Sequence, residues 1–157
     1  EEEYAKLVPG TKIKVTGYKA EWSGEVEIID VESFEIQSGS YIAEAFDATS
    51  LLGTDDLIKR QNEFVSFKGM AVEAADDSGA AFLYNWDGSG EDGSDLYFNV
   101  SLNGQTYSFV VESYLCDNTT EVYAAVKNLK VGDVVDMEGF LYWYNGANPH
   151  ITSITVK

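Results

Sequence analysis

The sequence predicts an all-β chain carrying one short helix, and three observations support this. Apolar and polar residues alternate with period two in residues 67–73, and again where Leu96, Phe98, Val100 and Leu102 oppose Tyr97, Asn99 and Ser101. Asn103-Gly104 follows at once, the residue pair that supplies the positive φ angles of a type I′ hairpin turn, and Tyr107, Phe109 and Val111 resume the apolar face. Finally, Leu7, Gly10, Ile13, Val15, Gly17, Tyr18, Trp22 and Gly24 recur 122 residues later as Leu129, Gly132, Val135, Met137, Gly139, Phe140, Tyr144 and Gly146.

The repeated unit reads as a turn with Gly, an alternating strand, a kinking Gly, an aromatic hairpin and a second strand. A one-residue slip then aligns residues 25–36 with residues 149–156. Residues 37–63 read as a connector, with Thr54-Asp55-Asp56-Leu57 starting a short helix. The strand at 67–73 follows, then a long loop over 75–94 and the hairpin around Asn103-Gly104. Asn118 stands three residues before Glu121, a capping-box spacing, and Val122, Ala125, Val126 and Leu129 give a helical stripe of about three turns. The order is strand, strand, strand, helix, strand, strand.

Composition bounds the partners. At 45% hydrophobic and 13% aromatic the chain can bury a core, despite 27 acidic against 10 basic side chains and a net charge of −17. That charge repels a phosphate backbone and an anionic membrane surface, so nucleic acid is a disfavoured partner. No run of about 18 apolar residues exists, so no membrane span is expected. A single cysteine, Cys116, cannot form an internal disulfide, and a single histidine, His150, cannot build a His-rich metal or triad site. Residues 1–3 are all Glu, without an initiator Met or an apolar leader, which suggests a trimmed or processed product.

Residues 64–157 resemble an OB-fold. The features are a first strand broken by Gly69, the hairpin at Asn103-Gly104, a helix before the fourth strand, then Leu129-Lys130-Val131-Gly132-Asp133-Val134-Val135 with Gly139 and a closing hairpin. Together with the repeat they are similar to tandem OB-like modules of secreted or surface-anchored bacterial proteins. The resemblance implies a five-stranded Greek-key barrel over 64–157, preceded by a partial OB-like unit: residues 1–36 as its closing half and 37–63 as a connector. It also implies an extracellular or cell-surface location, with any lipid anchor lying upstream. Two strands with one apolar face are marginal in water, so Ile13, Val15, Ile28 and Phe34 need a partner: upstream chain, another protomer or the complete module.

In OB-folds the usual binding surface is the outer face of strands two and three, flanked by the loops between strands one and two and between strands four and five. Here that surface collects Tyr84, Trp86, Tyr97, Asn99, Ser101, Tyr142, Trp143, Tyr144 and Asn145 as candidate ligand-binding residues, with Thr106 and Ser108 beside them. Aromatic rings next to amides and hydroxyls suit sugars or peptide segments. Stacked bases would use the same rings but come with a basic groove, whereas residues 66–157 contain four Lys and no Arg. Trp22, Trp86 and Trp143 are either ligand platforms or cross-strand packing.

Asp87, Ser89, Glu91, Asp92 and Asp95 are oxygen donors spaced by glycines, a possible calcium loop, although the spacing departs from the EF-hand pattern; the alternative is a solvated, mobile loop. No other cofactor is expected. Asp136 and Glu138 share a strand face but lack a pocket in the sequence pattern, His150 stands by no nucleophile motif, and Cys116 reads as a packed side chain, so no enzyme is expected. Matched positions of the repeat carry opposite charge, Lys12 and Lys14 against Asp136 and Glu138. Self-association through the 12–22 and 134–144 strand faces is therefore an expectation. The functional expectation is a non-enzymatic extracytoplasmic module binding a polysaccharide, a peptide or a protein. The alternative is a single-stranded nucleic-acid-binding module accessory to a nuclease.

Overall fold

The computed structural model describes residues 4–157, so the acidic start at residues 1–3 lies outside the described residues. Nine strands and one α-helix follow in chain order: β1 (Thr11–Trp22), β2 (Glu25–Ser40), β3 (Phe46–Asp47), β4 (Phe64–Glu73), β5 (Leu83–Tyr84), β6 (Leu96–Leu102), β7 (Gln105–Val111), α1 (Glu121–Lys127), β8 (Val134–Phe140) and β9 (His150–Val156).

β4 pairs with β8, β8 with β9, β9 with β7, β7 with β6, and β6 returns to β4, closing a five-stranded barrel with the strand order of an OB-fold. β3 and β5 extend its edges. The predicted alternation sets the barrel interior: Leu96, Phe98, Val100, Phe109 and Val111 point inward and are fully buried, with Val65, Phe67, Met70, Val135, Met137 and Ile151. The turn at Asn103 and Gly104 has the two positive φ angles that its residues predicted. Gly69 sits at φ +68 in a bulge between Phe67 and Met70, where β4 bends from β8 toward β6.

The helix is two turns long, not three, because Asn128 ends it with a C-cap hydrogen bond. Thr120, not Asn118, caps its start by accepting the Tyr123 N–H; Asn118 instead donates to Asp92. Val122, Tyr123 and Val126 bury against the barrel, and the Tyr123 hydroxyl donates to the Ser94 carbonyl while accepting the Gly93 N–H. The connector does more than link. Ala48 and Leu57 join the core, and the expected helix is a 3-10 turn at Leu57–Arg60.

β1 and β2 form a separate two-stranded ribbon that runs to Ser40, four residues past the predicted boundary. Its ladder repeats that of β8 and β9. Ile13 faces Ile36 and Val15 faces Phe34, as Val135 faces Val156 and Met137 faces Ile154. Both ladders shift register at the equivalent glycine, Gly17 or Gly139, where an added Cβ would collide with Ile29 or His150 of the neighbouring strand. The first copy's bulge is larger and contains Asp30 at φ +46. Among the described residues, the outer edges of both ribbon strands are unpaired.

Candidate functional site

The two hairpin tips touch through equivalent residues. Ser23-Gly24 turns the ribbon and Asn145-Gly146 turns the β8–β9 connection, each pair at positive φ. The Asn145 N–H donates to the Ser23 carbonyl at 2.7 Å, and the Trp22 and Tyr144 rings lie 5.1 Å apart. Glu25, 3% exposed, accepts the Trp143 N–H at 2.8 Å. Gln61 and Asn62 complete the anchor by bonding both backbone groups of Val26. Gly24 is required twice over: its φ is +88, and a Cβ there would lie 2.8 Å from the Trp143 ring.

This contact builds one wall of a cleft of about 800 Å³. Trp22 and Tyr144 form that wall with Tyr142, Ala147 and Asn148; Trp86 reaches in from the long loop between β4 and β6. The floor is Tyr97 and Ser108 on the outer face of β6 and β7, together with Glu112 and His150. Tyr142 and His150 lie ring against ring at 4.5 Å. Among the described residues that line the cleft there is no Lys or Arg.

Burial governs its ionisation. It pushes the Glu112 carboxyl above its usual range, and the neighbouring Asp95 carboxylate pushes in the same direction. Burial, then Asp95 and Glu112, raises the Tyr97 hydroxyl. Burial lowers His150 against the opposing pull of Asp95, which favours the neutral imidazole. Near neutral pH the cleft thus presents aromatic faces, hydroxyls, an amide, a neutral imidazole and a carboxyl group. It can stack flat apolar faces and bond hydroxyl or amide groups at their rims.

Of the predicted ligand-binding residues, Trp86, Tyr97, Tyr142 and Tyr144 meet in the cleft. The others have structural employment. Asn99 donates to the carbonyls of Ala74 and Ala75, and Ser101 to Glu73, so both fasten the start of the long loop. Tyr84 is half-buried edge-on to Phe82. Trp143 faces Gly24 and the core, opposite Tyr142 and Tyr144, because extended backbone alternates its side chains, and Asn145 supplies the positive-φ turn. Trp22, open in the sequence to a ligand or a packing role, also lines the cleft, as do Glu112, Asn148 and His150, which the sequence does not single out for it. Continuing the outward alternation of β7 from Ser108 past Val110 reaches Glu112, and the repeat pairs Trp22 with Tyr144, so both were within reach of the pattern.

The proposed calcium donors are dispersed. Asp87 accepts the Ser89 N–H, Asp92 binds Lys127 and Asn118, Asp95 accepts the Ser113 N–H, and the Glu91 N–H donates to Ser94. Among the described residues no group of three His, Cys, Asp or Glu side chains converges on a metal position. The strand faces expected to associate meet within the chain at Trp22 and Tyr144, but their charges do not pair, since Asp136 binds Lys157 and the Gly69 N–H. No helix among the described residues is long and apolar enough to cross a membrane.

No protein-family model matches the chain, and no curated protein matches it. Among solved structures the chain is similar to asparaginyl-tRNA synthetase from Pyrococcus horikoshii complexed with asparaginyl-adenylate, with a TM-score of 0.43 and 15% identity over 62% of this chain. It spans 20% of the synthetase chain, whose activity and ligand belong to that protein.

Proposed function

We propose that the chain is a non-enzymatic binding module whose cleft takes a neutral, hydroxyl-rich ligand, a glycan segment. The observation that carries this reading is the lining itself. Trp22, Trp86, Tyr97, Tyr142 and Tyr144 offer faces for the apolar side of a sugar ring, and Ser108, Glu112, Asn148 and His150 offer hydrogen-bond groups around them. Single-stranded nucleic acid would use the same stacking, but its phosphates would find no Lys or Arg among the lining residues. A peptide ligand would satisfy the rings equally; the carboxyl, amide and imidazole rim favours a ligand rich in hydroxyls.

The test is tryptophan fluorescence during titration with neutral gluco-, galacto-, manno- and xylo-oligosaccharides and with a single-stranded oligonucleotide, each at low and high salt. The expected result is saturable binding of at least one oligosaccharide, unchanged by salt because no ion is displaced. Oligonucleotide binding that weakens steeply with salt would replace this reading with the nucleic-acid one.

A further inference from the structure

The exposed face of the ribbon has a buried counterpart in the same molecule. Val135 is 0% exposed in the barrel, whereas Ile13 at the matched ladder position is 44% exposed; Ile36 opposite Ile13 is 43% exposed, and its own counterpart Val156 is 50% exposed. Ile28 and Val31 are open to solvent as well. Apolar side chains exposed together in this way mark a surface suited to an interaction. The equivalent strand β8 is covered because β4 pairs antiparallel along its other edge, from Phe64 opposite Phe140 to Ala71 opposite Val134.

Charge identifies what fits the open edge. Along the covered seam, Lys68 of β4 bulges out across from Asp136 of β8; Lys157 and the Gly69 N–H do most to keep the Asp136 carboxyl low, and the Lys68 charge, ion-paired to Asp47, adds to them. On the ribbon the position matching Asp136 is Lys14, and Lys12 matches Val134. A strand like β4 would set lysine against lysine there, which disfavours the β4 of a second copy as the occupant. We infer that the outer edge of β1 receives an antiparallel strand of alternating apolar and acidic side chains, supplied by another polypeptide segment, which extends the ribbon to a three-stranded sheet. The apolar residues cover Ile13 and Val15, and the acidic ones face Lys12 and Lys14. This is independent of what the cleft binds.

The test attaches the strand to the full chain. A copy of Phe64–Glu73 carrying Lys68→Glu is joined ahead of residue 1 by a flexible Gly/Ser linker, which raises its local concentration to roughly the millimolar range. A second fusion keeps Lys68. Hydrogen exchange is then followed at the β1 amides that point away from β2. In the Glu fusion these amides should slow by about tenfold or more relative to the parent, and more than in the Lys fusion. In a Lys12→Glu, Lys14→Glu background the order of the two fusions should reverse. Equal exchange in the parent and both fusions would overturn the inference, as would equal protection by the two strands. A parent chain that sediments as a dimer with those amides already protected would also overturn it, making a second copy the occupant.

Discussion

The ribbon β1–β2 and the barrel hairpin β8–β9 share a ladder, a glycine bulge and a turn of the same type, yet one is exposed along its apolar face and the other forms the barrel core. The difference lies in what each is paired with. β8 and β9 have β4 and β7 at their outer edges, whereas the ribbon has neither and is held at its tip. The same local sequence code therefore specifies a hairpin in both places, and burial is added by distant strands. The contact between the two tips then converts the repeat into one wall of the cleft, formed by Trp22 and Tyr144, which are equivalent in sequence.

The largest expected effect sets the matched core positions against each other. Met137→Ala should cost about 3 kcal/mol in urea denaturation, since it empties a filled position in the barrel, whereas Val15→Ala should cost less than about 1 kcal/mol. Similar losses would mean that the ribbon face is already buried. The tip contact comes next. Glu25→Ala leaves the Trp143 N–H without its acceptor and should cost about 1–3 kcal/mol of docking, read as faster exchange at that amide while the barrel amides keep their rates.

A pH titration separates the cleft from the ribbon. The folded protein holds the Glu112 proton more tightly than the unfolded chain does, so it binds more protons between the ordinary value of 4.5 and the raised folded one. The stability from this group is present in full below 4.5 and is lost as pH rises through the folded value, and Glu112→Gln should flatten that decline. His150 acts in the opposite direction: its contribution is present above 6.5 and is lost as pH falls through its depressed value. The smallest effect concerns the acidic loop. With no three of its acidic side chains converging on one point, millimolar calcium at constant ionic strength should move Tm by less than about 1 °C. A clear rise would show that the loop binds calcium.

Much of the fold was legible because period-two alternation, Asn-Gly chemistry and the 122-residue repeat are local signals. The succession of strands and helix along the chain, the hairpin at Asn103 and the inward set of Leu96, Phe98, Val100, Phe109 and Val111 all follow from them, while the barrel's strand pairing came from the OB resemblance. The site was legible in part. Trp86, Tyr97, Tyr142 and Tyr144 follow from the face and loops of the barrel, but Trp22 arrives through a tertiary contact that spans more than a hundred residues. Asn99 and Ser101 sit beside the floor residues in sequence, and their side chains are captured by Ala74, Ala75 and Glu73, partners that alternation cannot reveal. The helix start failed for a similar reason: Thr120 stood nearer the first turn than Asn118 and took the cap.

The most direct test of the central claim is calorimetry with the best-binding neutral oligosaccharide, comparing the parent chain with Trp22→Ala, Trp86→Ala and Asn99→Ala. The account predicts that each tryptophan substitution weakens binding about tenfold at every salt concentration, while Asn99→Ala stays near the parent value. Unchanged affinity in both tryptophan variants would contradict it.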